Sequence, residues 1–396
     1  MLRKSALQPD SLVSSSMLPY SRQSIDDRDI EAVVRVLRSD WLTTGPSVEA
    51  FEEAFARATG ARYAVAVNSG TAALHAALHV FDLGPGDEVL VPPITFAASA
   101  NAVVYHGASP IFCDVEPSTL LIDMENLEEK ITPRTRGIVA VDYAGQPCDY
   151  DRLRQIAAKH GLFLLADACH SLGGSYKGRP VGSLAELNAF SFHPVKPLTT
   201  GEGGMVTTSD SQVARRLKQF RNHGIDRDHH QRAEIRSWSY EMIELGHNYR
   251  LTDFQAALGL AQLRNLAEWT ARRNRIANDY YQVPLSKLGL TPLQRHADRY
   301  HAYHLFVVRI DPVCGIERDR LFNALRAEGI GVQVHYRPVH LHPFYVNRFG
   351  TGPGECPVAE EAYQNILSLP IFPSMTEVDF SNVISAITRV LEGERS

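Results

Sequence analysis

Short apolar runs alternate with helical segments over the first two thirds of the chain. The run at 63–67 leads into an alanine-rich helical segment at 72–78. The runs at 137–141 and 162–165 contain no polar residue, which is typical of strands buried on both faces of a parallel sheet. This alternation predicts an α/β domain with a mostly parallel central sheet, in which helices such as 150–160 form the crossovers.

The pattern changes after about residue 252. A long helical stretch at 253–283 is followed by a strand at 304–309, a helix at 318–328 and a second strand at 331–336. We therefore predict a smaller C-terminal α+β domain that the long helix joins to the first domain. The predicted division is a loose serine-rich leader at 1–17, a large domain at 18–265, and the connecting helix with the small domain at 266–396.

Composition and charge narrow the class of protein. With 396 residues, of which 44% are hydrophobic and 21% charged, the chain has the makeup of an ordinary globular protein. The net charge of −5 argues against a general nucleic-acid binder, and no apolar run approaches the roughly 18 residues of a membrane helix. The leader is too polar for a signal-peptide core, and the five cysteines form no C-x-x-C pair. We expect a reduced, cytoplasmic protein that binds neither nucleic acid nor membranes.

Lys196 carries the first chemical signal. It lies between two prolines, after a short alternating strand and before a glycine-rich turn that leads into another apolar strand. An amine fixed at the end of a strand can form a Schiff base with the aldehyde of a cofactor. The alternative is a solvated lysine before a turn, which is where most lysines lie.

Asp167 carries the second signal, because it ends an apolar strand. Side chains at the carboxyl ends of parallel strands face the ligand crevice, and a buried carboxylate needs a partner. A protonated pyridine nitrogen would be such a partner, and the ion pair would hold the ring as an electron sink. The alternative is a cap for the helix that follows.

Two further segments can bind a phosphate. At 67–72 a strand turns through glycine into a helix, whose free N–H groups and dipole attract anions, and Ser69 and Thr71 add hydroxyl donors. Asn248 and Arg250 supply anion donors just before the helix that starts near residue 253. Taken singly, the first segment could be an ordinary capped turn and the second a simple helix entry.

Together these segments supply an amine, a carboxylate and a phosphate seat, which match the three reactive groups of pyridoxal 5'-phosphate (PLP). The spacing of 29 residues between Asp167 and Lys196 leaves room for about two strands. Neighbouring strand ends can therefore present both side chains to one ring.

The chain resembles the sugar aminotransferases of the DegT/DnrJ/EryC1/StrS family from about residue 18 to about residue 390. This resemblance implies fold type I of the PLP enzymes and a homodimer with active sites at the subunit interface. The segments that carry it, in the order found in the family, are Leu42-Thr43-Thr44-Gly45-Pro46, Asn68-Ser69-Gly70-Thr71-Ala72, Asp167-Ala168-Cys169-His170, Ser191-Phe192-His193-Pro194-Val195-Lys196 and Gly246-His247-Asn248-Tyr249-Arg250.

The resemblance also implies roles for single residues. Lys196 is the Schiff-base lysine and Asp167 pairs with the ring nitrogen, so both are catalytic. His170 lies near the phenolic oxygen of the ring. The other implied cofactor contacts are Phe96 on the ring face, Ser69, Gly70, Thr71 and Ser191 around the phosphate, and Asn248, which reaches the phosphate across the dimer interface. The nucleotide sugar is implied to lie against Tyr20, Trp41, Leu42, Thr43, Thr44, His335 and Tyr336.

The segments 190–197 and 334–338 resemble the branch of the family that acts in pseudaminic acid biosynthesis. That branch transfers the amino group of glutamate, which becomes 2-oxoglutarate, to C4 of a UDP-linked 4-keto-6-deoxy-N-acetylhexose. The implied product is UDP-4-amino-4,6-dideoxy-N-acetyl-β-L-altrosamine. Another 4-keto or 3-keto sugar nucleotide is the alternative substrate.

Other functions are disfavoured by particular residues. Sugar 3-dehydratases of the family have histidine at the position of Lys196, and a PLP-binding regulator would carry a DNA-binding helix pair or a basic arm. His335, His340 and His342 do not form a zinc pattern, because no fourth ligand stands at metal-site spacing. We therefore expect an enzyme with PLP and without a metal.

Overall fold

The computed structural model describes residues 17–227 and 236–393, so the predicted leader lies, apart from its last residue, outside the described residues. The strands β1 to β13 are Tyr63–Val67, Glu88–Val91, Ser109–Phe112, Thr135–Val141, Phe163–Asp167, Ser175–Tyr176, Arg179–Pro180, Leu187–Ser191, Gly204–Thr208, Leu290–Pro292, Arg299–Tyr300, Phe306–Ile310 and Ile366–Leu369. The helices α1 to α13 are Asp27–Leu37, Pro46–Thr59, Gly70–His79, Ala98–Tyr105, Met124–Glu129, Tyr150–His160, Ser211–Phe220, Asp253–Leu263, Leu266–Gln282, Arg318–Ala327, Pro343–Phe349, Pro357–Asn365 and Glu377–Gly393.

A seven-stranded sheet forms the centre of the fold, with the strand order β1-β9-β8-β5-β4-β2-β3. The five strands from β8 to β3 are parallel to one another, which confirms the predicted α/β fold with a mostly parallel sheet. β9 is antiparallel to β8 and to β1. A turn connects β8 to β9 in place of a crossover helix, and a return without a crossover gives an antiparallel pair.

The apolar runs of the sequence are the strands at the middle of this sheet. All five residues of β5 and the last five of β4 are buried. Helices cover both faces, so neither strand needs a polar face toward water. Asp167, the polar residue that ends β5, therefore lies at the carboxyl end of a central strand in apolar surroundings.

A second hydrophobic cluster lies in the C-terminal part of the chain. It includes Tyr280, Phe306 and Val383, and it packs around the antiparallel three-stranded sheet β10-β12-β13. Neighbouring C-terminal residues such as Val307 and Ile366 belong instead to the first cluster. The boundary near residue 265 therefore remains a prediction.

The predicted helix at 253–283 is wrong in one respect, because it is two helices, α8 and α9. α8 ends at Leu263, and the next residue, Arg264, turns its guanidinium toward α1, where it lies 2.9 Å from Asp26 and 3.3 Å from Asp29. No glycine or proline lies at this break. The ion pairs with a distant helix were not visible in the local pattern.

The predicted strand at 331–336 is also wrong. Only Gln333 forms a bridge there, to Ser368. The other backbone groups have different partners, since the Gly331 amide donates to Leu18 O at 2.7 Å and the Tyr143 hydroxyl donates to His335 O. This segment is therefore an extended loop beside the candidate site.

Candidate active site

A cavity of about 380 Å³ lies at the carboxyl ends of β5 and β8. This position is where ligands bind in open α/β sheets. Most of the residues proposed from the sequence line it, from several distant segments of the chain: Tyr20, Ser69, Gly70, Thr71, Phe96, Asp167, His170, Ser191, Lys196, His335 and Tyr336.

The strand order explains how Lys196 and Asp167 meet. β5 and β8 are neighbours in the sheet, although two short strands of another sheet separate them in sequence. Asp167 is the last residue of β5, and Lys196 follows the end of β8 in a turn closed by its amide donating to His193 O at 2.9 Å. Neighbouring strand ends thus bring an acid and an amine to one cavity, as the spacing in the sequence suggested.

Two donors hold the Asp167 carboxylate in place. The Ser99 hydroxyl donates to one oxygen at 2.6 Å, and the Cys169 amide donates to the other at 3.2 Å. Ser99 in turn lies 2.7 Å from the hydroxyl of Thr95, which lines the cavity. Asp167 as a whole is 6% exposed, and its carboxylate therefore keeps a fixed orientation at the cavity. Sequence reasoning missed both hydroxyls, because small polar residues near a helix start carry no distinct signal.

The electrostatic surroundings make the Lys196 amine reactive. Burial lowers the pKa of Lys196 below its usual value, and the neighbouring Cys169 and Asp167 act in the opposite direction. A lowered pKa increases the uncharged share of the amine near neutral pH. Only the uncharged amine is a nucleophile or a base.

The start of α3 provides the anion seat. Ser69 caps the helix by accepting from the Ala72 amide at 3.0 Å. The other N–H groups of the first helical turn lie beside the cavity. A β-carbon at Gly70 would lie 2.7 Å from the β-carbon of Ser191. Glycine therefore allows the helix start and the end of β8 to approach, and this cradle has the donors that a phosphate needs.

Replacing Gly70 with alanine is expected to raise the dissociation constant of PLP by about tenfold or more, because the new methyl group forces the helix start away from Ser191. PLP titration followed by tryptophan fluorescence measures this constant. Gly84→Ala is the matched control, since a β-carbon there meets nothing within 4 Å. Equal dissociation constants for the two variants would contradict this assignment.

Three buried histidines form one wall of the cavity. The ring centroids of His170 and His304 are 4.4 Å apart, and the Tyr336 hydroxyl lies 3.2 Å from His170 Nε2. Burial lowers the pKa of all three imidazoles, to about 3 for His335. The buried Nδ1 atoms of His170 and His304 have no hydrogen-bond partner among the described residues. The wall is therefore neutral and keeps hydrogen-bonding capacity for a ligand.

Several cavity residues were missing from the sequence prediction. His304 could have been singled out as a histidine at the start of an apolar strand, but that pattern more often marks a core histidine. Cys169, His193 and Glu202 stand beside residues of the recognised motifs, and the motifs assign no role to their side chains. The residues concerned are Leu74, Thr95, Ala98, Val141, Cys169, His193, Val195, Glu202 and His304.

Some predicted residues do not line this cavity within one chain. Trp41 lines a different groove, formed by α1, α2 and α8. Thr43 bridges to Thr252, and the backbone carbonyl of the exposed Asn248 accepts from the side-chain Nδ2 of Asn68 at 3.4 Å. Trp41, Leu42, Thr43 and Thr44 therefore do not line the chain's own cavity, and their contacts with a nucleotide sugar remain a prediction.

The histidines considered for a metal make other contacts. His340 Nε2 lies 2.9 Å from a carboxylate oxygen of Glu360, and His335 Nδ1 lies 2.9 Å from the Ser368 hydroxyl. Within the described ranges no three histidine, cysteine or acidic residues are grouped as metal ligands. Nor does any helix in those ranges have the length and apolar character needed to cross a membrane.

Comparison with known proteins decides the family. The family model of the DegT/DnrJ/EryC1/StrS aminotransferases matches residues 23–388. The chain belongs to this family. As a member of the DegT/DnrJ/EryC1/StrS family it is a PLP-dependent sugar aminotransferase, which acts on a nucleotide-linked keto sugar and an amino donor.

Individual relatives cover almost the whole chain. The spore coat polysaccharide biosynthesis protein SpsC of Bacillus subtilis is 42% identical over 379 residues, which is 95% of this chain and 97% of SpsC. The structure of Helicobacter pylori PseC, an aminotransferase involved in the biosynthesis of pseudoaminic acid, has a TM-score of 0.89 and 32% identity, covering 95% of this chain and 100% of PseC. The PLP form of Spr1654 from Streptococcus pneumoniae has a TM-score of 0.88 and 31% identity, covering 96% of this chain and 99% of that protein.

The residues of the cavity fit the cofactor of the DegT/DnrJ/EryC1/StrS family. Lys196 supplies the amine and Asp167 supplies a fixed carboxylate. The start of α3 at Gly70 supplies hydrogen-bond donors for an anion. The Nδ1 of His170, which has no partner among the described residues, adds a further hydrogen-bonding atom in the same cavity. Each group that PLP requires is thus present in one cavity.

Proposed function

We propose that this enzyme transfers the amino group of glutamate to C4 of a UDP-linked 4-keto-6-deoxy-N-acetylhexose. The observation that carries the aminotransferase chemistry is the presence of Lys196 and Asp167 in one cavity with the phosphate cradle. The choice of sugar is supported by the likeness to Helicobacter pylori PseC over 95% of the chain.

In this proposal each residue has one task. PLP supplies an electron sink through which an amino group is exchanged. When the amino donor binds, Lys196 becomes a free amine. Its Nζ then takes the α-proton of the donor and later returns a proton. Its lowered pKa suits both steps. Asp167 keeps the ring nitrogen protonated, and His170, from the same turn, offers a hydrogen bond without bringing a charge.

The rest of the cavity suits a neutral, hydroxylated substrate. Tyr20, His304, His335 and Tyr336 also line the cavity, and burial keeps the histidines uncharged. Neutral donors and acceptors bind sugar hydroxyl and keto groups through directed hydrogen bonds. We therefore place the hexose ring against these residues.

The substrate is tested with a panel of keto-sugar nucleotides. Purified enzyme with PLP and glutamate is incubated with UDP-, dTDP- and GDP-linked 4-keto and 3-keto sugars, and amino-sugar products are measured by mass spectrometry. We expect the highest kcat/KM with the UDP-linked 4-keto-6-deoxy-N-acetylhexose. Preference for another sugar nucleotide would favour the second candidate, in which the enzyme aminates a different sugar, as its 42% identity to the spore coat polysaccharide protein SpsC allows.

A protein without transferase activity would give a different result in the same assay. A sugar 3-dehydratase would release water from the sugar and would not need glutamate, and a PLP-binding regulator would not convert glutamate to 2-oxoglutarate. Lys196 in the cavity disfavours both functions, because neither requires this lysine as a base.

We further propose that the enzyme is a homodimer with shared active sites. The segment 238–245 exposes a row of large apolar side chains, with Trp238 at 89% and Leu245 at 76% exposure. Exposed apolar patches of this kind mark interaction surfaces. Asn248 lies three positions after this segment and is itself exposed, so a second copy docked on this surface would also meet Asn248.

Mixing two inactive variants tests the shared site. Lys196→Ala and Asn248→Ala are each expected to lose most activity, whereas an exchanged mixture is expected to regain about a quarter of the wild-type sites, because a mixed dimer holds one site with neither change. Activity after subunit exchange and the mass from light scattering are measured. Unmixed Lys196→Ala protein is the control. A dimeric mixture that regains no activity would contradict shared sites.

A further inference from the structure

A buried carboxylate outside the known motifs lies directly behind the cavity. Asp142 follows the end of β4, which is the neighbour of β5 in the sheet, and it is fully buried. Its backbone amide donates to the Asp167 carbonyl at 3.1 Å. Its carboxylate accepts from the Ser171 hydroxyl at 2.6 Å. Asp142 therefore binds both ends of the turn 167–171.

The two oxygens of this carboxylate face different parts of the molecule. The oxygen Oδ2 accepts from Ser171, at the cofactor turn. The oxygen Oδ1 accepts from the Cys148 amide at 2.8 Å and from the Tyr150 hydroxyl at 2.9 Å, at the start of α6. Burial raises the pKa of Asp142 to about 6, and the hydrogen bonds from Ser171, Cys148 and Tyr150 oppose that rise. A carboxylate with three donors can remain charged in the interior at neutral pH.

The turn that Asp142 holds contains two residues that face the cofactor. Asp167 begins the turn, and His170 precedes its last residue. The backbone packs tightly on the same side, since a β-carbon at Gly145 would lie 2.8 Å from the His170 carbonyl. The turn can therefore move only if its hydrogen bonds to Asp142 break.

We propose that Asp142 is a positioning residue of the cofactor site, which acts through Ser171 to fix Asp167 and His170 against the cavity. The inference rests on the proposed roles of Asp167 and His170. A group that must lie within about 0.5 Å of its working position depends on such supporting hydrogen bonds.

The two oxygens of Asp142 provide a matched pair of variants. Ser171→Ala removes the donor at the cofactor turn, and Tyr150→Phe removes a donor from the other oxygen of the same carboxylate. We expect Ser171→Ala to raise the dissociation constant of PLP about tenfold and to shift the visible absorbance of the bound cofactor. We expect Tyr150→Phe to lower the Tm of the apoprotein while changing that constant by less than about twofold, since its hydroxyl binds the oxygen of Asp142 that faces α6 and not the one that holds the cofactor turn.

A double-mutant cycle tests whether Asp142 acts through Ser171. Asp142→Asn retains the volume and an acceptor for Cys148 and Tyr150, and if Ser171→Ala does not fold, the PLP binding of Asp142→Asn is compared with that of Tyr150→Phe instead. The effect of Asp142→Asn on PLP binding is expected to disappear when Ser171 is already alanine. The inference is overturned if the two effects add, or if Ser171→Ala and Tyr150→Phe change PLP binding and absorbance equally. Wild-type protein that binds no PLP would instead overturn the proposed function, so the two failures are distinguishable.

Discussion

Replacing Lys196 with alanine is expected to abolish both half-reactions. The variant loses the amine that attaches the cofactor and the base that moves the α-proton, and a positioned base alone contributes about 10²- to 10⁴-fold. The combined loss is expected to be at least about 10⁴-fold in kcat. Stopped-flow absorbance with glutamate and mass spectrometry after borohydride reduction measure the two functions separately. Reduction should attach the cofactor covalently to the wild type and not to the variant.

The control for this experiment is another lysine. Lys159→Ala removes an exposed amine that pairs with Glu128 on the surface and takes no part in the cavity. Its activity and cofactor attachment are expected to match the wild type within about twofold, because exposed ion pairs contribute little. If Lys196→Ala retained turnover near the wild-type rate, the assignment of the catalytic amine would be wrong.

Replacing Asp167 with asparagine is expected to lower the rate of each half-reaction roughly 10³-fold, which corresponds to about 4 kcal/mol in activation free energy. The amide keeps the volume and an acceptor for the Ser99 hydroxyl, so the cavity should keep its shape. It lacks the negative charge that holds the ring nitrogen protonated, and the electron sink is weakened as a result. Single-turnover kinetics and the absorbance spectrum of the bound cofactor measure both changes.

A control variant at a comparable carboxylate outside the cavity separates the loss of charge from a general effect on folding. Asp149→Asn changes a half-buried acid that accepts from the Tyr176 hydroxyl at 2.8 Å and caps α6 outside the cavity. This variant is expected to lose some thermal stability and to keep its rates within about twofold. Asp167→Asn with rates within tenfold of the wild type would rule out the proposed role of this carboxylate.

The parts of the fold that were predictable from the sequence are those with strong local patterns. The strands β4 and β5 are apolar throughout because both faces of the sheet are covered, and the helix at 150–160 follows a regular amphipathic repeat. The proposed catalytic pair could be predicted for a related reason. Asp167 interrupts an apolar strand at its end, and Lys196 stands in a turn rich in proline and glycine, so each breaks a local pattern.

What the sequence pattern did not reveal depends on contacts between distant residues. The break between α8 and α9 coincides with Arg264, which pairs with acids on α1 more than 230 positions earlier in the chain. The segment 331–336 resembles a strand, but only Gln333 bridges to a sheet strand, at Ser368, and the other backbone contacts go to Leu18 and Tyr143. Ser99 supports Asp167 across 68 positions. No local period encodes such pairings.

The cavity has walls of two different origins. Loops and a helix start at the carboxyl ends of the central strands present the groups proposed for the cofactor, whereas Tyr20 precedes α1 and His304, His335 and Tyr336 follow α9. On the proposed placement of the sugar, mutagenesis libraries at Tyr20 and His335 should retarget sugar preference, whereas His304 and Tyr336, which contact His170, should be kept. The same separation gives natural selection a route to new carbohydrate substrates without rebuilding the catalytic apparatus.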